Sequence, residues 1–293
     1  MSERIVIISD THLGRATAAA RSADALRPLW ADTDHLVING DVAEVHHHRH
    51  MIAAAREVLR LHDLCEIDGV RVTILSGNHD PYISDIRHLR LAAGQVFVTH
   101  GDVMHPAVAP WSPAAPRIRR AYDEALARLE PGTRQDLELA LELSQVASHA
   151  EWTELEHQAA RSSMLGMFLR PWKLVEVLRY WRRLPHLANA FVAKHAPEAR
   201  HIVLGHSHRP GLWTIGTRTV INTGSFGFPG HPRAVIIEND RLDVVRIRAV
   251  GDEYRLDPQP IRSFQLDPVT APSTRPGSVR PSAAAISRPA STS

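Results

Sequence analysis

RIVIISDTH, residues 4–12, is the stretch whose reading decides the fold. The run from Arg4 to Ser9 is rich in β-branched residues and shows no alternation, the look of a strand buried on both faces. It then meets Asp10 and His12, polar residues that no buried strand needs. The same sequence of events recurs downstream. HLVI at 35–38 ends on Asn39-Gly40-Asp41, and VRVTIL at 70–75 ends on Ser76-Gly77-Asn78-His79-Asp80. QVFVT at 95–99 ends on His100-Gly101-Asp102, and HIVL at 201–204 ends on Gly205-His206-Ser207-His208. Helical spacing over 18–30 and 50–62 separates the first strands, so strand and helix alternate. In open α/β sheets ligands bind outside the carboxyl ends of the strands, which is where all five polar clusters fall.

The whole chain fits that reading. Its 293 residues allow about two domains or one large α/β domain. Apolar residues make up 44% and charged residues 23%, which excludes a disordered, collagenous or coiled-coil chain as a whole. With a single cysteine, Cys65, no intrachain disulfide can form, and a reducing compartment fits. The N-terminus lacks the apolar core of a signal peptide, and no apolar run is long enough to span a bilayer. A cytoplasmic protein is expected, with peripheral contact to the inner membrane face left open. Net charge is +2, and 32 of the 34 basic residues are arginine. Neither count indicates specific nucleic-acid binding. The 19 histidines are the unusual feature, since imidazole is the commonest metal ligand and an acid/base group near neutral pH.

Residues 103–116 carry four prolines and read as a loop. From 117 to 195 the strand signals stop and helical patterns take over. Short strands follow at 211–215, 218–222, 233–238 and 242–248, with turns at 214–218 and at Asn239-Asp240. The predicted organisation is a core formed by 1–116 and 196–262, a helical insertion or lid at 117–195, and a disordered Pro/Ser/Ala-rich tail at 263–293. Within the insertion, 164–184 reads MLGMFLRPWKLVEVLRYWRRL. Phe168, Leu169, Trp172, Val175, Leu178 and Trp181 share a broad face there, with Arg170, Lys173, Arg179, Arg182 and Arg183 around it. That pattern fits a lipid-surface or lid contact, and equally core or homodimer packing.

The strand ends supply Asp10, His12, Asp41, Asn78, His79, His100, His206 and His208. Loops at the ends of parallel strands converge, so these groups can line one cleft. Mixed imidazole and carboxylate donors suit Mn, Fe, Zn or Co. A carboxylate can bridge two cations about 3.5–4 Å apart. The His46–His50 run and His105 are read as solvated loop residues, with a place at the cleft mouth as the alternative.

Taken together, Asp10-x-His12, Gly40-Asp41, Gly77-Asn78-His79-Asp80, His100-Gly101-Asp102 and Gly205-His206-Ser207-His208 resemble the five motif blocks of the calcineurin-like metallophosphoesterases. The resemblance covers about 4–248, interrupted at 117–195. It implies a four-layer α/β/β/α sandwich and two divalent metal ions. Asp10, His12 and His208 would hold one, Asn78, His100 and His206 the other, with Asp41 bridging. It also implies that His79 protonates the leaving oxygen or stabilises its charge. Asp80 is expected to orient that ring or to cap a helix, and Asp102 to support the ligands or a turn. Asn222-Thr223-Gly224-Ser225 resembles the family's late active-site loop, with a plain turn as the alternative.

The expected function is hydrolysis of a phosphomonoester, phosphodiester or pyrophosphate bond by metal-activated hydroxide. The Asp-Arg-Gly of the phosphoprotein phosphatases is absent after Asp41, which disfavours that branch. Gly40-Asp41-x-x-Glu44, the helical insertion and Gly205-His-Ser-His-Arg-Pro210 are similar to the UDP-diacylglucosamine hydrolases of lipid A synthesis. That branch usually has Asn-Arg-Asp where this chain has Asn78-His79-Asp80. A non-catalytic scaffold of the same fold is the alternative from another class; such a chain is expected to lose ligands, and none is missing here.

Overall fold

The computed structural model describes residues 3–15, 20, 22–47, 49–110, 112, 114–133, 136–158, 171–227 and 230–268. One sheet has six strands in the order β11-β10-β9-β1-β2-β3. These are β1 (Ile5–Ile8), β2 (His35–Asn39), β3 (Arg71–Leu75), β9 (Arg233–Glu238), β10 (Arg241–Val250) and β11 (Glu253–Gln265). The other has five, in the order β4-β5-β6-β8-β7. These are β4 (His88–Leu91), β5 (Val96–Thr99), β6 (His201–Leu204), β7 (Gly211–Ile215) and β8 (Arg218–Asn222). In the first sheet β1, β2 and β3 run parallel, with Ile5 opposite His35 and Ile8 opposite Ile38. In the second β5, β6 and β8 run parallel. The antiparallel strands are added around these two parallel sets.

Period-two alternation explains why the central strands are apolar throughout. Ile5, Ile7, Val37 and Leu75 pack against Val96, Val98, Val203 and Ile221, forming the layer between the sheets. Val6, Ile8, Leu36 and Ile38 belong to a second cluster with Leu26 of α1 (Ala23–Leu26) and Leu61, Leu64 and Cys65 of α2 (Met51–Ile67). Phe97, Ile202, Leu204 and Val220 pack under Tyr180, Leu184, Ala188 and Val192 of α5 (Pro171–His195). The layers are therefore helix, sheet, sheet, helix, and the expected α/β/β/α sandwich is the observed architecture. Among the described residues no helix is long and apolar enough to cross a membrane.

Three boundaries differ from those expected. Helical structure before β2 is α1 and a 3-10 turn over Arg27–Trp30; of the expected 18–30 stretch, residues 18, 19 and 21 lie outside the described residues. The tail does not begin at 263, because β11 pairs with β10 as far as Gln265 and Leu266 is buried; the rest of the expected tail, from 269, lies outside the described residues. The segment 117–195 does not end where the core resumes. From Tyr180 onward α5 is the outer layer of the second sheet, so the insertion proper comprises α3 (Ala115–Ala127), α4 (Leu137–Gln158) and the start of α5.

The apolar stripe foreseen along 164–184 splits for the same reason. Trp181 packs toward the core while Val175 and Leu178, with Leu174, are exposed. Phe168 and Leu169 lie outside the described residues. The helix phase is set by the sheet beneath Tyr180, Leu184 and Ala188, not by the most apolar arc at its start.

Candidate metal centre

The carboxyl ends of both parallel strand sets open on one edge, and Asn39 ties them together there. Its side-chain Nδ2–H donates to the Thr99 carbonyl at 2.9 Å, and its own carbonyl accepts from His100 Nδ1–H at 2.8 Å. The chain leaves each strand through a tight bend. Asp10, His12, Asp41, His206 and His208 all have φ between 48 and 63°, the left-handed region. Asp and His tolerate that region better than bulky residues, but each such position costs of order 1–3 kcal/mol. Five of the seven expected ligands are held this way, and the buried clusters beneath them offset the strain.

The structure brings the seven side chains together in two groups. In the first, His12 Nε2 lies 3.0 Å from His208 Nε2, and His208 Nε2 lies 3.3 Å from Asp10 Oδ1. His12 Nε2 is also 3.9 Å from Asp41 Oδ2. In the second, Asn78 Oδ1 lies 2.8 Å from His206 Nδ1 and 3.3 Å from His100 Nε2. His100 Nε2 is 3.3 Å from the same Asp41 Oδ2. Asp41 thus belongs to both groups.

The donor chemistry of these groups fits a cation. A neutral imidazole has one N–H and one lone pair. His100 gives its Nδ1–H to Asn39, and His206 gives its Nε2–H to the Val108 carbonyl at 3.1 Å. Their remaining nitrogens therefore present lone pairs, and they point at two further acceptors, Asn78 Oδ1 and Asp41 Oδ2. Four acceptors facing one another need a positive centre between them. Burial opposes charge on His100, yet Asp41 beside it raises its pKa well above the ordinary range; the two share either a proton or a cation. His206 moves the other way, its pKa lowered by burial and by His100 to about 4, as suits a neutral ligand. Val108 has φ 52°, unusual for a β-branched residue, and its carbonyl is the one that fixes His206.

Two glycines make the approach possible. A Cβ at Gly77 would overlap Asp41 Oδ1 and the Asp41 backbone nitrogen, and one at Gly205 would overlap Asp10 Oδ2 and Ser9 Oγ. Asn222-Thr223-Gly224-Ser225 is a bracing turn behind Asp10. Ser225 Oγ–H donates to the Asp10 carbonyl at 3.3 Å, and Asn222 Nδ2–H donates to the Gly205 carbonyl at 2.6 Å.

His79 stands at the open side of the centre, and its orientation corrects one expectation. Asp80 does not orient the His79 ring, nor does it cap a helix. Its buried carboxylate accepts backbone N–H groups from Gly77 at 2.7 Å, Asp41 at 3.1 Å, Val42 at 2.6 Å and Ala43 at 3.3 Å, clamping two strand-end loops together. Burial and the Asp41 charge push its pKa up to about 7. Asp80→Ala would leave those donors buried and unpaired, so it is expected to cost about 3 kcal/mol or more of unfolding free energy in a urea titration. A loss below about 0.5 kcal/mol would show that the clamp is dispensable.

The carboxylate that does orient His79 is Glu44. It accepts from His79 Nδ1–H at 3.0 Å through Oε2 and from His12 Nδ1–H at 3.1 Å through Oε1. Burial would raise the Glu44 pKa, but His79 and His12 hold it well below the ordinary range. Burial likewise opposes charge on His79, and Glu44 and Asp41 outweigh it, raising its pKa to about 10. The set His12, Glu44 and His79 is close enough to be considered for a cation as well. Two ring N–H donors already satisfy that carboxylate, so Glu44 is read as an orienting group.

Asp102 accepts from Ser144 Oγ–H of α4 at 2.6 Å and so anchors the insertion to the end of β5. Another carboxyl reached the cleft unforeseen. Glu151 of α4 accepts from Ser112 Oγ–H at 2.7 Å, and burial raises its pKa while the nearby His79 opposes that rise. Nothing in the helical pattern of 137–158 distinguishes Glu151 from its neighbours. His46 is no solvated loop residue: its ring lies 6.0 Å from that of Tyr82 and 6.2 Å from that of His149 on α4. His105 sits 6.1 Å from the Tyr180 ring.

Several solved structures resemble the chain. A predicted phosphoesterase from Streptococcus pneumoniae TIGR4 is 15% identical, covering 90% of this chain and 98% of that one, with a TM-score of 0.40. YfcE, a phosphoesterase from E. coli, is 17% identical, covering 90% and 100%, with a TM-score of 0.40. Vps29 from Chaetomium thermophilum is 10% identical, covering 92% and 98%, with a TM-score of 0.41. No curated protein matches the chain. The model of the calcineurin-like phosphoesterase family matches residues 3–210, from just before β1 to just past His208, and the chain belongs to that family.

Proposed function

We propose that the protein hydrolyses a phosphoester at a centre of two divalent cations. The observation that carries the reading is the surplus of acceptors: two groups of imidazole, carboxylate and amide donors meet at Asp41 with too few protons between them. Asp10, His12 and His208 would hold one cation, Asn78, His100 and His206 the other, with Asp41 between. Cations bound there supply an acidified water and neutralise the phosphoryl oxygens. The mixed nitrogen and oxygen donors suit Mn, Fe, Zn or Co better than Mg or Ca.

The chain's own groups do the rest. Glu44 fixes the ring orientation of both His12 and His79. His79, partly open to the cleft, is placed to give a proton to the departing oxygen. A covalent cysteine route has no support, because burial raises the Cys65 thiol to about 12 and α2 holds it in the core.

The test is metal depletion. Dialysis against EDTA is expected to abolish hydrolysis of p-nitrophenyl phosphate and its bis ester, and Mn²⁺ should restore it with two equivalents bound per chain. Turnover that survives depletion, or a chain that binds no metal, would sink the proposal.

A further inference from the structure

Arg209 follows His208 directly, and the reaction proposed above does not use it. His208 marks the open side of the centre: its side chain is 23% exposed, against 0–2% for Asp10, His12, Asp41 and His100. The Arg209 guanidinium carbon lies 5.5 Å from the ring centroid of Trp181 and 5.8 Å from that of Trp213. Both fall inside the reach of a cation–π contact, about 6 Å.

The two indoles are themselves fixed. Trp181, on α5, donates its Nε1–H to the Ser207 carbonyl at 3.0 Å, which ties it to the loop carrying His206 and His208. Trp213, on the edge strand β7, folds over Gly211 so closely that a Cβ there would overlap its ring. Glycine at 211 is what seats that indole.

Stacking engages the flat faces of a guanidinium and leaves its N–H edge for anions, which it takes through parallel hydrogen bonds. Some surface arginines pair with carboxylates, as Arg27 does with Asp68, Arg60 with Asp24 and Arg90 with Glu198. Arg209 does not. Among the described residues its side chain meets no acceptor, and its backbone N–H bonds Ser207 Oγ at 3.4 Å. A half-buried guanidinium beside two fixed indoles, meeting no acceptor among the described residues, thus directly follows a candidate metal ligand in the chain.

We propose that Arg209 is a subsite for a second anionic group of the substrate, a phosphate or carboxylate carried beyond the scissile phosphoryl. The substrate class is then a phosphoester bearing two anions. This rests on the phosphoryl group binding at the metal centre, as proposed above.

The indoles provide a direct readout. Mn²⁺-loaded protein is titrated with methylphosphonate, which has one anionic group, and with phosphonoacetate and methylenebisphosphonate, which have two. Binding is followed by tryptophan fluorescence. A charge-assisted pair predicts about ten- to a hundredfold preference for a two-anion probe in the wild type. Arg209→Gln should reduce that preference to below about threefold, and Arg209→Lys should leave part of it, since the charge remains and the planar fork is lost. Chelation of the cations by a probe is common to all three proteins, so the change on substitution decides. A preference for phosphonoacetate names a carboxylate and one for methylenebisphosphonate a phosphate; either supports the subsite. An undiminished preference in Arg209→Gln overturns it. If Arg209→Gln does not fold, Trp213→Phe, which weakens the stack, must lower the preference, and an unchanged value overturns the subsite. Wild-type protein that hydrolyses esters yet shows no two-anion preference refutes the subsite alone. Protein with neither Mn²⁺-dependent hydrolysis nor methylphosphonate binding refutes the metal-centre reading as well.

Discussion

Asp41→Ala is expected to lower metal-dependent hydrolysis of bis-p-nitrophenyl phosphate by about a thousandfold or more and to reduce bound metal from two equivalents to one or fewer. The size follows from its position. Oδ2 faces His100 at 3.3 Å on one side and His12 at 3.9 Å on the other, so its loss removes a donor from both groups. Oδ1 accepts the His79 backbone N–H at 2.8 Å, so the same substitution frees the loop that carries Asn78 and His79. Asp41→Asn separates the two effects. It keeps the side-chain volume and an acceptor for the His79 N–H, yet an uncharged amide is a poor bridge between two cations. Asp41→Asn is therefore expected to fold like the wild type and still lose most activity. Undiminished turnover or full metal content in both variants would remove Asp41 from the centre.

The parts of this centre differ in how legible they were. The seven candidate ligand positions are legible in the sequence because each lies within a few residues of a buried strand end, and strand ends announce themselves as β-branched runs. β4 and β11 escaped that signal because both are edge strands. HLRL at 88–91 is short and half polar, and 253–265 contains Pro258 and Pro260, which an edge tolerates and a central strand does not. Adjacency in sequence does not give Asp80 its partner. The turn after β3 points its carboxylate at backbone amides of another loop, while Glu44 arrives from 35 residues away. No spacing rule reports that the Val108 carbonyl fixes His206, or that α5 serves as an outer layer. Val108 is buried with Ile118 and Ala147 of the insertion, and α5 covers the face of the second sheet that carries Phe97, Ile202 and Val220.

Replacing His79 should separate leaving groups. His79→Asn is expected to reduce turnover of an alkyl phosphoester by about a hundred- to ten-thousandfold, while an ester of p-nitrophenol loses about tenfold or less. The Nδ1–H of His79 is committed to Glu44 at 3.0 Å, so proton donation falls to Nε2. The ring stands edge-on to His12, with centroids 4.9 Å apart, and its side chain is 26% exposed, which leaves that nitrogen access to the cleft. An alkoxide is too basic to leave unprotonated at neutral pH, whereas p-nitrophenolate departs without help. The loss should therefore fall on kcat rather than KM. Glu44→Gln should act in the same direction but less strongly, about ten- to a hundredfold, because it loosens the ring without removing it. Metal content should stay at two equivalents in His79→Asn, since the cations are assigned to the other side chains. An equal loss on both ester types, or a drop in bound metal, would instead make His79 a ligand and leave the leaving oxygen without its acid.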